Sequence, residues 1–554
     1  MTQLGRGTNV GQVSRFYRVK SQKVFERTKL ANAPAWTERQ RRSSFKILQS
    51  KIAERKIIVL RLNPLITKGV VLQAEEPVLI SGTTQSNISV SLSFGDEQYQ
   101  TQADETGKFL FELPAHAYGI SGELEVITEK EDTLIISDVK FGEVFLLGGQ
   151  SNIEFKMSQE KHFETVHDAK DFGQYDISYV IVPQVDYLDE NGVTKPDDAK
   201  WQGWLPVNRE SLAELSAVGY YAAIEWAKNH PDVPVGLVAC NKGGTSVTTW
   251  LDEESLKASP LAQKYVVEPY QAALLGKTAA DFDRLASDYR ETAETYYALR
   301  EKWVREHPEL TLGEIKEVIG GSPWPPPSTP QIFTRPSGVY HTMFEGITPY
   351  TFKAVLWYQG EEDSRYPDMY AETLPILLKT WRRDLKSPDL PFYIVQLPIF
   401  DETPLKSWAG IRQAQLEIAL ADAHSHLIVT ADTGDKDDVH PTDKSEVGKR
   451  IGEIINNKYY DNSPYAFISE HGAEHLILTI KNAETVVLKN YPVVISIDDR
   501  ETSAKVKGNQ LIINLKPDAK VVRYGWQNAP ELSLFNEVGY PVSPFEFILS
   551  KEVE

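Results

Sequence analysis

The chain has 554 residues, 41% of them hydrophobic and 25% charged, which is the composition of a globular protein with about two to four domains. Its net charge of −19 argues against nucleic acid or an anionic membrane as the main partner, because like charges repel. No apolar run approaches the length of a membrane span. The single cysteine, Cys240, excludes an internal disulfide framework and a multi-cysteine metal site.

Residues 1–56 differ from the rest in charge, with 14 Lys and Arg against 3 Asp and Glu. We expect a basic N-terminal extension that is loosely docked or poorly ordered, although its charge also suits an acidic surface. Its start lacks the apolar segment of a signal peptide, and together with the lone thiol this predicts a cytoplasmic protein.

Residues 57–138 predict a β-sandwich domain. Short strand-like segments follow one another there with turn residues between them. In one of them Ile88, Val90, Leu92 and Phe94 alternate with polar residues, which is typical of a half-buried antiparallel strand.

Residues 139–464 change to continuous apolar runs separated by helical patterns, which predicts an α/β domain with a doubly wound parallel sheet. A long helical insertion, about residues 255–330, ends in a proline-rich stretch and is expected to cover one edge of the sheet. From residue 465 to 554 the pattern returns to strands and predicts a C-terminal β module. The predicted parallel strands are EVFLLG, VPVGLVAC, KAVLWYQ, PFYIVQLP and SHLIVTAD.

The first of these strands runs into Gly148-Gly149-Gln150-Ser151-Asn152. Two glycines permit a tight turn, which presents Ser151 at the N-terminus of the next helix, where free N–H groups favour developing negative charge. Ser151 is therefore either a nucleophile or a serine that caps its helix. The GxSxG elbow of α/β-hydrolases is absent from the sequence.

Ligands of parallel sheets bind where the strands end, so the later loops supply further candidates. Gly244 in the Gly-Gly loop is a candidate oxyanion donor, and Ser246 is a rival nucleophile. Gln359 follows the third strand, and its amide has the chemistry to donate to an oxyanion. Glu361 and Glu362 invite a glycosidase interpretation, but the sequence offers no obvious second carboxylate.

The last of these loops contains Asp437-Asp438-Val439-His440-Pro441. The Asp-x-x-His spacing can bring the carboxylate of Asp437 to Nδ1 of the imidazole, leaving Nε2 to accept the serine proton. A calcium interpretation of the acidic residues lacks EF-hand spacing. His424 and His426 form a lone His-x-His pattern, which predicts surface histidines rather than a zinc site. The order nucleophile, Gly-Gly loop, amide and base predicts a hydrolase of esters or amides.

These stretches resemble a known family. FGEVFLLGGQSNIEF, VGLVACNKGGTSVTTWL, the segment ending in WYQGEEDS, and DDVHPTDKSEVGKR are similar to the ordered motifs of the sialate O-acetylesterase family, within the SGNH hydrolases. The similarity spans about residues 57–554. It implies a flavodoxin-like three-layer α/β/α core flanked by β-sandwich-type modules.

By resemblance Ser151 is the nucleophile and His440 the base. The N–H groups of Ser151 and Gly244 and the Gln359 amide form the oxyanion hole. The orienting acid is Asp437 or Asp438, since relatives differ there. Residues flanking these positions are expected to contact the substrate: Gln150, Asn152 and Glu361.

The resemblance implies a serine esterase that removes acetyl groups from O-acetylated sugars and needs no metal or organic cofactor. Acetylated xylan or mannan oligosaccharides are an alternative substrate, and Asn241-Lys242, which departs from the family pattern, lines the predicted site. A glycan-binding protein without activity and a lipase with an apolar acyl slot are the remaining alternatives. The sequence does not fix the sugar or the oligomeric state.

Overall fold

The computed structural model describes residues 60–185, 201–307, 309–401, 406–489 and 492–549. The predicted basic extension, residues 1–56, lies outside these described residues. Among the helices within them, none combines the length and the apolarity needed to cross a lipid bilayer.

The chain from residue 61 to residue 128 forms seven strands that belong to two sheets. One sheet has the order β1-β3-β6, and the other contains β4 paired with β5 and β7. The predicted alternation is found in β4, where Val90, Leu92 and Phe94 are buried and the serines between them are more exposed. The strands are β1 Arg61–Leu62, β2 Val71–Gln73, β3 Val78–Thr83, β4 Ser89–Phe94, β5 Glu97–Gln102, β6 Lys108–Leu113 and β7 Ser121–Thr128.

The next strand, β8 (Thr133–Gly149), is 17 residues long. It joins antiparallel and parallel strands into one 11-stranded sheet. Its first half pairs antiparallel with β7. Its second half is fully buried from Phe141 to Gly149. This half lies between two parallel partners, β11 and β12. The other strands of this region are β9 Ile177–Ile181, β10 Leu205–Pro206, β11 Val235–Asn241, β12 Ala354–Tyr358, β13 Phe392–Val395 and β14 Ser425–Ile428.

The strand order of this sheet creates a crevice beside β8. The order is β10-β9-β11-β8-β12-β13-β14, parallel from β9 to β14, with β10 antiparallel at the edge. Along the chain, β11 is added on one side of β8 and β12 on the other. Connections therefore reverse direction at β8, and the crevice at such a reversal is where open α/β sheets bind ligands.

Helices pack on both faces of the parallel strands. Leu147 and Gly148 are neighbours in β8 and so point to opposite faces. Leu147 packs at Gly219 of α3, whereas Gly148 faces Trp381 of α9. The α-helices are α1 Ser151–Glu154, α2 Phe163–His167, α3 Ala217–Ala227, α4 Glu253–Leu256, α5 Pro260–Ala262, α6 Glu268–Leu274, α7 Ala279–Glu306, α8 Leu312–Ile319, α9 Pro367–Asp384, α10 Trp408–Ala421 and α11 Ser445–Ile455.

The expected mixed α/β fold is confirmed, with a large sheet that is mixed rather than purely parallel because β7 and β10 join it antiparallel. The long insertion helix is α7, 28 residues with a Thr278–Asp281 capping box at its start.

The C-terminal strands form three small antiparallel sheets, β15-β16-β21-β20, β17-β23 and β19-β18-β22-β24. The division into domains at residues 57, 139 and 465 stays a prediction. The strands are β15 Tyr465–His471, β16 His475–Lys481, β17 Val486–Leu488, β18 Val494–Ile497, β19 Arg500–Ser503, β20 Lys505–Lys507, β21 Gln510–Asn514, β22 Val521–Tyr524, β23 Leu534–Asn536 and β24 Phe545–Ile548.

Candidate active site

Ser151 stands directly after β8, as the first residue of the short helix α1. The turn before it requires glycine at position 149, which has a φ of +131°. A Cβ there would also overlap the carbonyl group of Tyr358 on the neighbouring strand β12. The strand can therefore present the serine only because residue 149 has no side chain.

Replacing Gly149 with alanine is expected to lower the free energy of unfolding by about 3 kcal/mol, because backbone strain and overpacking against Tyr358 act together. Gly95→Ala is the matched control. Gly95 also has a positive φ, of 58°, but no atom of the described residues, apart from its own chain neighbours, lies within 4 Å of the added carbon. Gly95→Ala should lower the free energy of unfolding, measured in urea, by only about 1 kcal/mol. Equal losses for the two variants would contradict the predicted overlap with Tyr358.

The structure brings His440 to Ser151. The ring Nε2 of His440 lies 2.7 Å from Ser151 Oγ, although the two residues are 289 positions apart in sequence. Burial, together with the smaller effects of the positive charges of Lys444, Arg300 and Lys316, lowers the pKa of His440 from 6.5 to about 4. The imidazole is therefore neutral at pH 7 and able to accept a proton from the hydroxyl.

The two candidate orienting acids occupy different positions. Asp438 Oδ1 accepts the backbone N–H of His440 at 2.9 Å, and burial raises the pKa of this carboxyl group. The side chain of Asp437 lies beside Gly313 of α8. Among the described residues, no carboxylate oxygen hydrogen-bonds or pairs with a ring nitrogen of His440. Asp438 thus holds the backbone of the base, and the choice between the two acids stays open.

The Gly-Gly loop after β11 lies against the serine. A Cβ on Gly243 would be 3.3 Å from Ser151 Cβ, and the Gly243 N–H donates to Glu154 Oε2 at 2.5 Å. Gly244 follows with a φ of +69°. Within the described part of the chain, the N–H groups of Ser151 and Gly244 have no hydrogen-bond acceptor. Two uncommitted donors next to a hydroxyl are the arrangement that a developing oxyanion needs.

Gln359 is buried beside this loop, but its amide group is engaged. Nε2 donates to Asp363 Oδ2 at 2.6 Å and to the Thr245 carbonyl at 3.0 Å, and it lies 3.2 Å from Gln150 Oε1. An amide nitrogen carries two hydrogens, so these three acceptors leave none for a substrate. The role of Gln359 as an oxyanion donor stays a prediction, and in the described structure its amide joins the loops that follow β11 and β12.

The residues expected to contact substrate are also buried. Gln150 Oε1 accepts backbone N–H groups from residues 360 and 362. Asn152 is fully buried, and its Nδ2 donates to Glu361 Oε1 at 2.6 Å and to the Val439 carbonyl at 3.1 Å. The substrate contact expected of Asn152 and Glu361 stays a prediction. They brace α1 against the loop that carries His440.

Sequence reasoning missed Lys444, which lies four positions after His440 and is 1% exposed. Its Nζ donates to Asn152 Oδ1 at 2.6 Å and lies over the Phe155 ring. Burial lowers the pKa of Lys444 to about 7 and raises that of Glu361 to about 7. Asn152, the residue after Ser151, therefore hydrogen-bonds to both a buried lysine and a buried glutamate.

The rival nucleophile Ser246 has other partners. Its Oγ donates to Asp363 Oδ1 at 2.6 Å, a fully buried carboxyl group that also accepts the Val247 N–H. Asp432 of the acidic loop pairs with Arg450 at 2.9 Å. In the described structure, these contacts give Ser246 and Asp432 structural roles.

Comparison with known proteins supports the class of enzyme that this geometry suggests. Residues 295–461 match the family model described as "Carbohydrate esterase, sialic acid-specific acetylesterase". The sialate O-acetylesterase of Mus musculus is 22% identical over 410 residues, 67% of this chain and 67% of its own length. The Homo sapiens sialate O-acetylesterase is 23% identical over 349 residues, 58% of this chain and 54% of its own length.

A solved structure, the carbohydrate acetylesterase of Xanthomonas citri, matches with a TM-score of 0.66 and 23% identity, covering 89% of this chain and 100% of that one. It supports the fold. The chain is a carboxylic ester hydrolase. These matches support the resemblance to the sialate O-acetylesterase family of carbohydrate esterases.

Proposed function

We propose that this chain is a serine esterase that removes O-acetyl groups from carbohydrates through an acetyl-enzyme. The observation that carries the proposal is the 2.7 Å contact between Ser151 Oγ and His440 Nε2, beside two backbone N–H groups that have no acceptor among the described residues. The strand order and the helices on both sheet faces support the SGNH-like three-layer core as the scaffold of this site.

In the proposed reaction, Ser151 attacks the acetyl carbonyl while His440 takes its proton. The N–H groups of Ser151 and Gly244 stabilise the negative oxygen of the tetrahedral intermediate, a contribution of about 3–4 kcal/mol for one such donor. His440 then returns the proton to the sugar oxygen, which leaves as the alcohol. A water molecule activated by His440 releases acetate from Ser151.

An O-acetylated sugar with a negative charge, such as an acetylated sialic acid, is the substrate that the local charges favour. The chain as a whole is acidic, with a net charge of −19. The positive charges of Lys444, Arg300 and Lys316 nevertheless contribute, after burial, to the lowered pKa of His440. A local positive field of this kind attracts an anionic ester to the site.

The test is a panel of acetylated sugars. Acetate release should exceed background for 9-O-acetyl sialic acid, and acetylated xylo- and manno-oligosaccharides test the alternative substrates. Acid quenching during turnover should leave an acetyl group on the Ser151 peptide and none on the Ser246 peptide. Binding of all sugars without acetate release would instead favour a glycan-binding protein, and faster cleavage of longer acyl chains would favour a lipase. The cytoplasmic location expected from Cys240 stays a prediction.

The low pKa of His440 makes a prediction about pH. The base must be neutral, so kcat/KM should fall on the acid side only near pH 4, instead of near the ordinary value of 6.5. Lys316→Gln removes one cation and should move this limb to higher pH. Lys302→Gln on α7, whose charge pairs with Glu306, is the control and should leave the limb in place. An acid limb at 6.5 in the unaltered enzyme would contradict the burial of the base.

A further inference from the structure

The proline-rich end of the insertion brings an aromatic ring to the candidate site. Trp324 follows α8, and its six-membered ring lies on Gly244, where an added Cβ would be 2.6 Å from Cζ2. The indole Nε1 donates to Glu362 at 3.1 Å. The ring is therefore fixed from two sides, by the loop after β11 and by the loop after β12.

This ring lies very close to the nucleophile. Gly243 contacts Ser151, and the next residue, Gly244, contacts Trp324. Consecutive Cα atoms are about 3.8 Å apart, so the indole lies next to the loop that packs against Ser151 and carries the Gly244 N–H. Trp324 nevertheless keeps 37% of its surface exposed. A rigid aromatic surface that stays accessible beside the candidate nucleophile is available to a bound substrate.

We propose that Trp324 is a specificity-determining residue whose exposed face stacks against the pyranose ring of the acetylated sugar. One face of a pyranose carries C–H groups and is apolar, and Trp offers a large rigid surface at a low cost in conformational entropy. The contact selects for the alcohol part of the ester. It leaves the acetyl group to Ser151, His440 and the two backbone N–H groups.

This inference rests on the proposed esterase function and is tested by separating the sugar from the acetyl group. Methyl acetate carries the same acetyl group and has no ring. The unaltered enzyme should prefer 9-O-acetyl sialic acid or acetylated xylobiose over methyl acetate. Trp324→Ala should raise KM for the preferred sugar ester about tenfold, the size of a lost aromatic contact, and should lower kcat/KM for methyl acetate far less.

Trp324→Phe keeps a ring and loses the N–H donor, so it should restore most of the affinity for the sugar ester. Trp303→Ala is the matched control, since Trp303 lies on the same insertion and stacks on His307. Equal losses on both kinds of ester in Trp324→Ala would mean that the ring only supports the Gly244 loop, and would overturn the proposal. So would an unaltered enzyme without preference for the sugar ester. Failure of the esterase function would appear differently, as no acetate release from either kind of ester or as full activity in a Ser151 variant.

Discussion

Ser151→Ala is expected to lower kcat/KM for acetate esters by about 10⁴-fold or more, because it removes the atom that forms the acetyl-enzyme. His440→Ala should cause a loss of the same order, since without the base the hydroxyl is a weak nucleophile. The double variant should be little worse than either single one, because the two side chains act as a unit across their 2.7 Å contact. Acetate release from methyl acetate measures all three.

The fold of each variant can be checked independently of its activity. Ser151 lies half-buried at the start of α1, so loss of its hydroxyl should change the free energy of unfolding by no more than about 1 kcal/mol. Ser246→Ala is the control for the choice of nucleophile. It removes one donor from Asp363 and should keep activity within about tenfold of the unaltered enzyme. A Ser151→Ala enzyme with full turnover, or an inactive Ser246→Ala enzyme with a native unfolding curve, would refute the assignment of Ser151.

The sequence predicted the framework of this site well. The apolar run VPVGLVAC became β11, Val235–Asn241, and KAVLWYQ became β12, Ala354–Tyr358, because strands buried on both faces leave an unbroken apolar signature. Residues that follow such strands meet at one edge of the sheet. That rule alone brought Ser151 and His440 into one hypothesis, and the geometry agrees with it.

The sequence could not predict which polar atoms are already satisfied. Nothing local in WYQGEEDS indicates that Gln359 donates to Asp363, four residues later, and to the Thr245 carbonyl, 114 positions away. Asp-x-x-His spacing likewise leaves the loop conformation undetermined, and the described structure puts Asp437 beside Gly313. The burial of Lys444 also depends on tertiary packing, because a lysine is normally exposed.

Asn152→Ala is expected to lower the free energy of unfolding by about 3–5 kcal/mol and kcat/KM by about 10²-fold. The amide joins the residue next to Ser151 to the carbonyl of Val439, the residue next to His440. It is also the hydrogen-bond partner of Lys444 Nζ and of Glu361 Oε1. Its loss leaves the buried Lys444 side chain without this acceptor and the buried Glu361 carboxyl group without this donor. The released loop can then shift the imidazole away from the hydroxyl, and small misplacements are costly.

A control and a double-mutant cycle separate this bridge from ordinary hydrogen bonding. Asn456 also donates to a backbone carbonyl, that of Glu225, far along the chain, so Asn456→Ala should cost about 1 kcal/mol and leave kcat/KM unchanged. Lys444→Met should be less destabilising in the Asn152→Ala background than in the unaltered chain, by about 1–3 kcal/mol, because the two side chains share one interaction. Additive losses would show that the amide and the ammonium act independently, and Asn152 would then position Ser151 without help from Lys444.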